Sequence, residues 1–256
     1  MNDQVSKGET PTSTWTPVSR GNITVHLANV DGWHDLVAND IAQRLHNAIH
    51  NHGSAVLCVS GGKSPVPLFT ALRVHPLEWS KVTITLVDER CVPITQPESN
   101  AQLVKTHLLQ DAAQAATFVP MVTETLDITD APQQALWASA QLQANSPADV
   151  LVLGMGADGH TASLFPDAPN LMQALDLHNK QVCVGITLAH PPANAPYPRV
   201  TQTLAHLLTA RHIVLPIGGD DKRATLQKAW THAQSELPVS HVLHQSLTSV
   251  DLWITQ

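Results

Sequence analysis

The sequence predicts an α/β domain with a doubly wound, mostly parallel sheet flanked by helices. Apolar, β-branched runs alternate along the chain with stretches of helical periodicity, as in repeated βα units. Runs such as VTITLV and DVLVLGM lack polar alternation, which is typical of strands that helices cover on both faces. The predicted strands span residues 23–27, 55–59, 82–87, 150–153, 182–187, 212–216 and 250–254.

Length and composition favour one globular domain. The 256 residues are 43% hydrophobic and 14% charged, which supplies enough apolar material for a packed core and too little charge for a disordered chain. The first residues are rich in Thr, Ser and Pro and lack the apolar stretch of a signal peptide or membrane span. We therefore expect a flexible tail over residues 1–20 and a single catalytic α/β domain over residues 21–256.

Charge and cysteine content narrow the class of protein. The formal net charge of -7 argues against a nucleic-acid surface, so attraction for an anion must come from a few focused groups. Cys58, Cys91 and Cys183 are odd in number and far apart, which fits neither a disulfide framework nor a CxxC site. We expect reduced thiols, a cytoplasmic protein and no membrane contact. A monomer is favoured, because no long exposed apolar face is obvious.

The first predicted helix follows the first strand and runs over residues 31–51, with Asp31 as its cap and apolar residues at helical spacing. Near its end lie His46, His50 and His52. Two histidines one turn apart would suit a metal ion, but no third ligand or HExxH pattern accompanies them. We interpret these histidines, and the pair His241 and His244, as solvated helix ends, and we predict no metal site.

The loop after the second strand reads SGGKSP over residues 60–65, and we call it the glycine loop. In open parallel sheets, ligands bind beyond the carboxyl ends of the strands. Glycines let the backbone approach an anion, and the amides and hydroxyls at a helix start donate hydrogen bonds. The loop lacks the spacing of a Walker A sequence, and by itself it also fits a turn without a ligand. The candidate substrate-binding residues here are Ser60, Gly61, Gly62 and Lys63.

The third strand ends in Asp88, Glu89 and Arg90, which places two carboxylates and a guanidinium at the same edge of the sheet. Arg90 can bind a phosphate or carboxylate through two hydrogen bonds, whereas a structural Asp88–Arg90 ion pair is the alternative. Ser99 and Asn100 precede a helical pattern, so Ser99 is expected to cap that helix. Asn100 is equally suited to bind substrate hydroxyls, and we count Asp88 and Asn100 as candidate substrate contacts.

The strongest signal is GMGADGHTASLFP, residues 154–166, which follows a buried strand and which we call the histidine loop. Its glycines, among them Gly156, surround Asp158 and His160 in a tight loop at the active edge of the sheet. A histidine titrates near neutral pH and accepts a proton from water, while a nearby carboxylate orients its ring. The alternative is a histidine that only packs in the loop.

The glycines at positions 154, 156 and 159 also match the dinucleotide pattern GxGxxG. That fingerprint belongs in the first βα turn, with an acidic residue about twenty positions further on. Here the match lies late in the chain and leads into HTASLFP instead of an amphipathic helix. A nucleotide-dependent oxidoreductase is therefore disfavoured.

Two more cations follow later strands. Arg199 lies in PYPRVT together with Thr201, and we place it at a helix start; Lys222 follows the glycine pair of GGDDKRATL. Each is suited to an anionic substrate. Taken alone, each fits a surface charge better, but their position beside the other clusters favours a role in binding.

Taken together and in this order, SGGKSP, DERCVP with the later SN, GMGADGHTASLFP, PRVT and the glycine–lysine turn resemble the 6-phosphogluconolactonase family over about residues 21–256. The resemblance implies a Rossmann-like fold related to glucosamine-6-phosphate deaminases and ribose-5-phosphate isomerases. It also implies cofactor-free hydrolysis of 6-phospho-D-glucono-1,5-lactone in the oxidative pentose phosphate pathway. Related deaminases typically read GDGHIAFNEP, so HTASLFP favours the lactonases. Cys91 and Asp167 depart from the family pattern, which commonly has Trp and Gly there.

The resemblance and the clusters combine into one hypothesis for catalysis. His160 deprotonates the attacking water, Asp158 orients His160, and Arg90 or another cation stabilises the oxyanion. The glycine loop with Arg199 and Lys222 binds the phosphate. A deaminase or isomerase is the second hypothesis, and a sugar-phosphate sensor without catalysis is the third.

Overall fold

The structure is a computed structural model that describes residues 15–190 and 196–255. The strands in this part of the chain are β1 (Ile23–Ala28), β2 (Ala55–Val59), β3 (Val82–Leu86), β4 (Asp88–Arg90), β5 (Thr117–Phe118), β6 (Val150–Val152), β7 (Cys183–Ile186), β8 (Arg199–Gln202), β9 (His212–Ile217) and β10 (Ser249–Thr255). The α-helices are α1 (Trp33–His52), α2 (Val66–Leu72), α3 (Asn100–His107), α4 (Ala131–Gln143), α5 (Leu171–Leu175), α6 (Leu204–Leu207), α7 (Asp220–Ala229) and α8 (Val239–Leu243).

Seven strands form one parallel sheet in the order β1-β10-β9-β6-β2-β3-β5. From β2 the chain adds β3 and β5 on one side, and β6, β9 and β10 on the other. The direction of winding therefore reverses between β2 and β6, where the loops after these two strands separate and leave a crevice. This topology confirms the predicted doubly wound parallel sheet.

Helices cover both faces of the sheet, as the continuous apolar strands predict. In β2, the side chains of Leu57 and Val59 join a core with α1, α2, α3 and α4. The side chain of Cys58, between them, joins a second core with α5, α6, α7 and α8. Because successive strand residues point to opposite faces, a strand between two helical layers is apolar throughout.

A second sheet of three antiparallel strands, in the order β4-β8-β7, lies beyond the main sheet. The predicted strand over 182–187 belongs to this sheet as β7. The prediction that Arg199 lies at a helix start is wrong, because Arg199 begins strand β8. All four residues of β8 are buried, and both edges of β8 form backbone hydrogen bonds, with β4 and with β7. These long-range pairings decide the local conformation.

The first residues of α1 and α3 can be compared with the two predicted helix caps. The prediction for Asp31 is wrong: the cap of α1 is Gly32, in a left-handed conformation with φ 77°, and it makes no side-chain hydrogen bond. This glycine turns the chain into the helix one residue later than expected. The prediction for Ser99 is confirmed, because its Oγ accepts a hydrogen bond from the amide of Gln102 at 3.2 Å.

The proposed tail lies mostly outside the described residues, in 1–14. Where the description begins, Trp15 contacts Trp230 edge-to-face, and the Arg20 guanidinium lies 4.1 Å from the centroid of the Trp230 ring. The three cysteines are free, as predicted, and all three are buried. No helix of the described chain has the length and apolar character needed to cross a membrane.

Candidate active site

A cavity of about 510 Å³ opens at the carboxyl edge of the main sheet, beyond the ends of β2 and β6. Its walls combine loops that follow β2, β6 and β9 with strands β4 and β8 of the small sheet. Most of the residues selected from the sequence line it: Ser60, Gly61, Gly62, Lys63, Asp88, Arg90, Asn100, Gly156, His160, Arg199 and Lys222. Asp158 does not line the cavity, but it contacts His160.

Ser60 joins the two loops at the reversal of the sheet. Its Oγ donates to the Val152 carbonyl at 3.0 Å and accepts from the Gly154 amide at 2.9 Å. The side chain is buried, and these two bonds link the start of the glycine loop to the start of the histidine loop. The contribution of the Ser60 hydroxyl is therefore to hold the two loops in register.

The two glycines of the glycine loop are required for different reasons. A Cβ at Gly61 would lie 1.9 Å from Oδ1 of Asn100, so only glycine fits against that side chain. Gly62 has φ 89°, a left-handed conformation that favours glycine. Within the described chain, the amides of Gly61, Gly62 and Lys63 donate to no protein acceptor, so they are available to an anion.

Lys222 approaches the glycine loop from α7. Its Nζ donates to the Ser64 hydroxyl at 3.1 Å, and burial lowers the pKa of the lysine from its ordinary value. The free amides, the hydroxyl and the ammonium group together form a cluster of donors on one wall of the cavity. Such a cluster suits a phosphate group.

Strand β4 presents alternate side chains to opposite sides, so Asp88 and Arg90 line the cavity while Glu89 is buried behind them. Arg90 donates from Nη1 to the Glu98 carbonyl at 2.6 Å, and Asp88 accepts from the Ser163 hydroxyl at 2.5 Å. The described residues show no Asp88–Arg90 ion pair, so the structural alternative from the sequence is not supported.

Glu89 fixes β4 against the start of α3. One carboxylate oxygen accepts from the amides of Arg90 and Asn100, each at 2.7 Å. The other accepts from the Ala101 amide at 2.7 Å and from the Ser99 hydroxyl at 3.0 Å. Burial raises the pKa of Glu89 to about 7, and the four hydrogen bonds oppose that rise. Sequence reasoning missed this role, although the position of Glu89 between two cavity residues was a signal for it.

The histidine loop brings an imidazole and a carboxylate together. His160 Nδ1 lies 2.5 Å from Asp158 Oδ1, which also accepts from the His160 amide at 3.2 Å. The Gly156 amide donates to the His160 carbonyl at 2.9 Å and closes the loop. In the described chain Nε2 of His160 has no hydrogen-bond partner, and the side chain is 31% exposed. Nε2 is therefore the nitrogen that is free to accept a proton.

The carboxylate of Asp158 is ionised at neutral pH. Burial by itself would raise the pKa of Asp158, but the hydrogen bonds and charge of His160 outweigh it and lower the pKa below the ordinary value. A negative charge next to Nδ1 selects the tautomer that carries its proton there.

Arg199 and Phe165 form the wall beside His160. The Arg199 guanidinium lies 4.8 Å from the centroid of the Phe165 ring, and the centroid of the His160 ring is 4.5 Å from the same point. Burial lowers the pKa of Arg199, whereas the nearby charge of Asp88 raises it. The hydroxyl of Thr201, the second polar residue selected in PRVT, accepts from the Ser163 amide at 3.2 Å.

Sequence reasoning missed part of the lining. Trp33 and His34, at the start of α1, line the cavity, as do Ala162 and Phe165. Trp33 and His34 follow the first predicted strand, so the rule that sites lie at carboxyl ends could have found them. Ala162 has a left-handed φ of 48°, which no local sequence pattern predicts. The described residues contain no group of three or more His, Cys, Asp and Glu side chains suited to a metal.

The chain is similar to known proteins over most of its length. The family model for glucosamine-6-phosphate isomerases/6-phosphogluconolactonase matches residues 30–252. A 6-phosphogluconolactonase of Mesorhizobium japonicum is 47% identical over 75% of this chain and 79% of the relative. One of Pseudomonas putida is 42% identical over 88% and 91%. The crystal structure of a 6-phosphogluconolactonase from Shewanella baltica matches with a TM-score of 0.83 at 34% identity, covering 91% of this chain and 97% of that one.

Proposed function

The chain belongs to the family of glucosamine-6-phosphate isomerases and 6-phosphogluconolactonases, and we propose that it hydrolyses 6-phospho-D-glucono-1,5-lactone with His160 as general base. The lactonase relatives support the reaction and its place in the pentose phosphate pathway. The observation that carries the role of His160 is its contact with Asp158 at 2.5 Å, beside a cavity rich in cations and free amides.

The protons can be followed through the reaction. The ionised carboxylate of Asp158 accepts a hydrogen bond from Nδ1–H of His160, so Nε2 carries the lone pair. Nε2 takes a proton from water as the water oxygen attacks the lactone carbonyl, which gives a tetrahedral oxyanion and an imidazolium. The oxyanion then collapses, the ring ester C–O bond breaks, and the imidazolium returns the proton to the departing ring oxygen. The products are a hydroxyl and a carboxylic acid, which ionises in water.

Two groups of hydrogen-bond donors are suited to different parts of the substrate. The amides of the glycine loop with Lys63 and Lys222 are suited to the phosphate. Arg90 and Arg199, on the wall next to His160, are suited to the oxyanion or to a phosphate oxygen, and Asp88 and Asn100 to sugar hydroxyls. This arrangement concentrates positive charge at one site of a protein whose net charge is -7.

The variant His160→Gln tests the general base. We expect kcat to fall roughly 100-fold to 10,000-fold with little change in KM, because the glycine loop still binds the phosphate. The assay uses freshly generated lactone and subtracts the spontaneous rate. His46→Gln, at an exposed position of α1, is the matched control and should keep full turnover. Full turnover in His160→Gln would contradict the proposal.

The family description also includes the isomerases, so a deaminase or isomerase activity needs its own test. HTASLFP in the histidine loop and the lactonase relatives both favour the lactonase. We expect no release of ammonia from glucosamine 6-phosphate under conditions where the lactone is hydrolysed. Ammonia release without lactonase activity would overturn the assignment, and binding of 6-phosphogluconate without any turnover would indicate a sensor.

We also propose that the enzyme works in the cytoplasm as a monomer. Three buried free thiols suit a reducing compartment. Light scattering after gel filtration gives the mass in solution, for which the monomer value is 27.6 kDa.

A further inference from the structure

Phe165 is the one aromatic ring that contacts both His160 and a buried cation of the described site. Phe165 lines the wall of the cavity and is 9% exposed. Its side chain also packs in the second core. The centroid of the His160 imidazole lies 4.5 Å from the centroid of the Phe165 ring, and the Arg199 guanidinium lies 4.8 Å from it.

A tight turn brings Phe165 back against His160, five residues earlier in the chain. The turn over residues 161–164 is closed by the Leu164 amide, which donates to the Thr161 carbonyl at 3.0 Å. Ala162 in this turn has a left-handed φ of 48°. The Thr161 hydroxyl donates to the Gly154 carbonyl at 2.8 Å, so this turn is tied to the start of the histidine loop.

The same turn is docked on β8, the strand that begins with Arg199. The Ser163 amide donates to the Thr201 hydroxyl at 3.2 Å, and the Ser163 hydroxyl donates to Asp88 at 2.5 Å. These bonds link the histidine loop to both neighbouring strands of the small sheet. The contact of Phe165 with Arg199 therefore follows from a defined junction between two parts of the fold.

We propose that Phe165 is a positioning residue, which holds the His160 imidazole and the Arg199 guanidinium in their working geometry through its aromatic face. The inference rests on the proposed function of His160. During the reaction His160 becomes cationic close to Arg199, which is permanently charged. The negative face of an aromatic ring attracts both cations, whereas an aliphatic side chain of similar size only fills space.

Phe165→Leu distinguishes positioning by the aromatic face from simple filling of space, because leucine keeps apolar bulk and removes the aromatic face. We expect kcat to fall roughly 10-fold, with KM changed by less than about 3-fold, since a small displacement of a catalytic group lowers the rate steeply. Phe165→Tyr keeps the ring and should restore kcat to within about 3-fold of the parent. Circular dichroism and thermal unfolding confirm that each variant is folded.

Phe118→Leu is the matched control, because Phe118 is partly buried in β5, away from the cavity lining. It should lower stability without lowering kcat. An unchanged kcat in Phe165→Leu, a loss that Tyr does not restore, or an equal loss in Phe118→Leu would each overturn the inference.

A spectroscopic measurement gives an independent readout. The imidazole proton resonances of His160, identified by their absence in His160→Gln, feel the ring current of Phe165. They should shift in Phe165→Leu and stay in place in Phe118→Leu, and unshifted resonances in Phe165→Leu would refute the contact. Different results would contradict the two proposals. Full activity of His160→Gln would show that His160 is not the general base, whereas full activity of Phe165→Leu would contradict only the positioning role of Phe165.

Discussion

Glu89 and Asp158 show how the same chemical group serves two regions of this site in opposite ways. Glu89, at the junction of β4 and α3, is 2% exposed and accepts four hydrogen bonds from its surroundings. Asp158, in the histidine loop, has a side chain that is 53% exposed, and its carboxylate contacts the side chain and amide of His160. Burial raises the pKa of Glu89, and the interaction with His160 lowers that of Asp158.

The difference separates rigid support from proton chemistry. A buried carboxylate whose oxygens are fully used fixes Arg90 and Asn100 in place but has no capacity left for a reacting group. A carboxylate near water stays ionised and orients the histidine beside it through a hydrogen bond. Substitutions in the two regions should therefore change different observables, namely stability at the junction and turnover in the histidine loop.

The largest loss of turnover in this comparison is expected for a substitution that crowds the side chains of the histidine loop. A Cβ at Gly156 would lie 2.2 Å from Nδ1 of His160 and 2.5 Å from Oδ1 of Asp158. In Gly156→Ala the imidazole must move, so we expect kcat to fall more than about 100-fold. Steady-state kinetics on fresh lactone measure the loss.

Gly154→Ala is the control for that variant, because its new Cβ would lie 3.7 Å from Cβ of Ser60, an ordinary contact. It should keep kcat within about 3-fold of the parent, since nothing near His160 is displaced. Equal kcat in Gly156→Ala and the parent would show that the loop tolerates a displaced imidazole. It would contradict the assignment of turnover to the histidine loop.

At the junction, Glu89→Gln replaces an acceptor oxygen with an NH₂ group that faces donors. We expect the free energy of unfolding to fall by about 2–4 kcal/mol, because buried donors lose an acceptor. Urea unfolding measures the change. Glu98→Gln, at a partly exposed glutamate, should stay within about 0.5 kcal/mol of the parent. A stable Glu89→Gln would show that the junction does not depend on these acceptor bonds.

The smallest effect is expected for Asp158→Asn, since a half-exposed carboxylate is screened by water. We expect kcat to fall roughly 10-fold, comparable to the loss of other partners that orient a histidine. A kcat equal to that of the parent would show that Asp158 only shapes the loop.

The stability of Asp158→Asn has its own pH dependence. Because the pKa of Asp158 is lowered in the folded protein, its contribution to stability is present above the unfolded pKa and is lost as the pH falls through the folded value. The small difference in unfolding free energy between parent and variant should therefore be present at about pH 5 and shrink as the pH falls below about 3.9, the ordinary value for an aspartate. Urea unfolding at several pH values checks this.

Local sequence patterns determined the class of fold and the position of the site. The apolar strands alternate with helices at short range, so their type and order follow from periodicity alone. Polar loops after successive parallel strands must meet at one edge, which is why the glycine loop and the histidine loop could be assigned to one cavity. The cap at Ser99 was equally predictable, since capping involves only neighbouring residues.

Only the tertiary structure decided the contacts that give the site its geometry. Asp88 and Ser163 are 75 residues apart, and Ser163 and Thr201 are 38 apart, yet their hydrogen bonds place β8 and the histidine loop side by side. The strand conformation of Arg199 and its contact with Phe165 follow from that pairing. No local propensity records which distant residues will meet, because the free energy of such contacts is gained only when the whole chain packs.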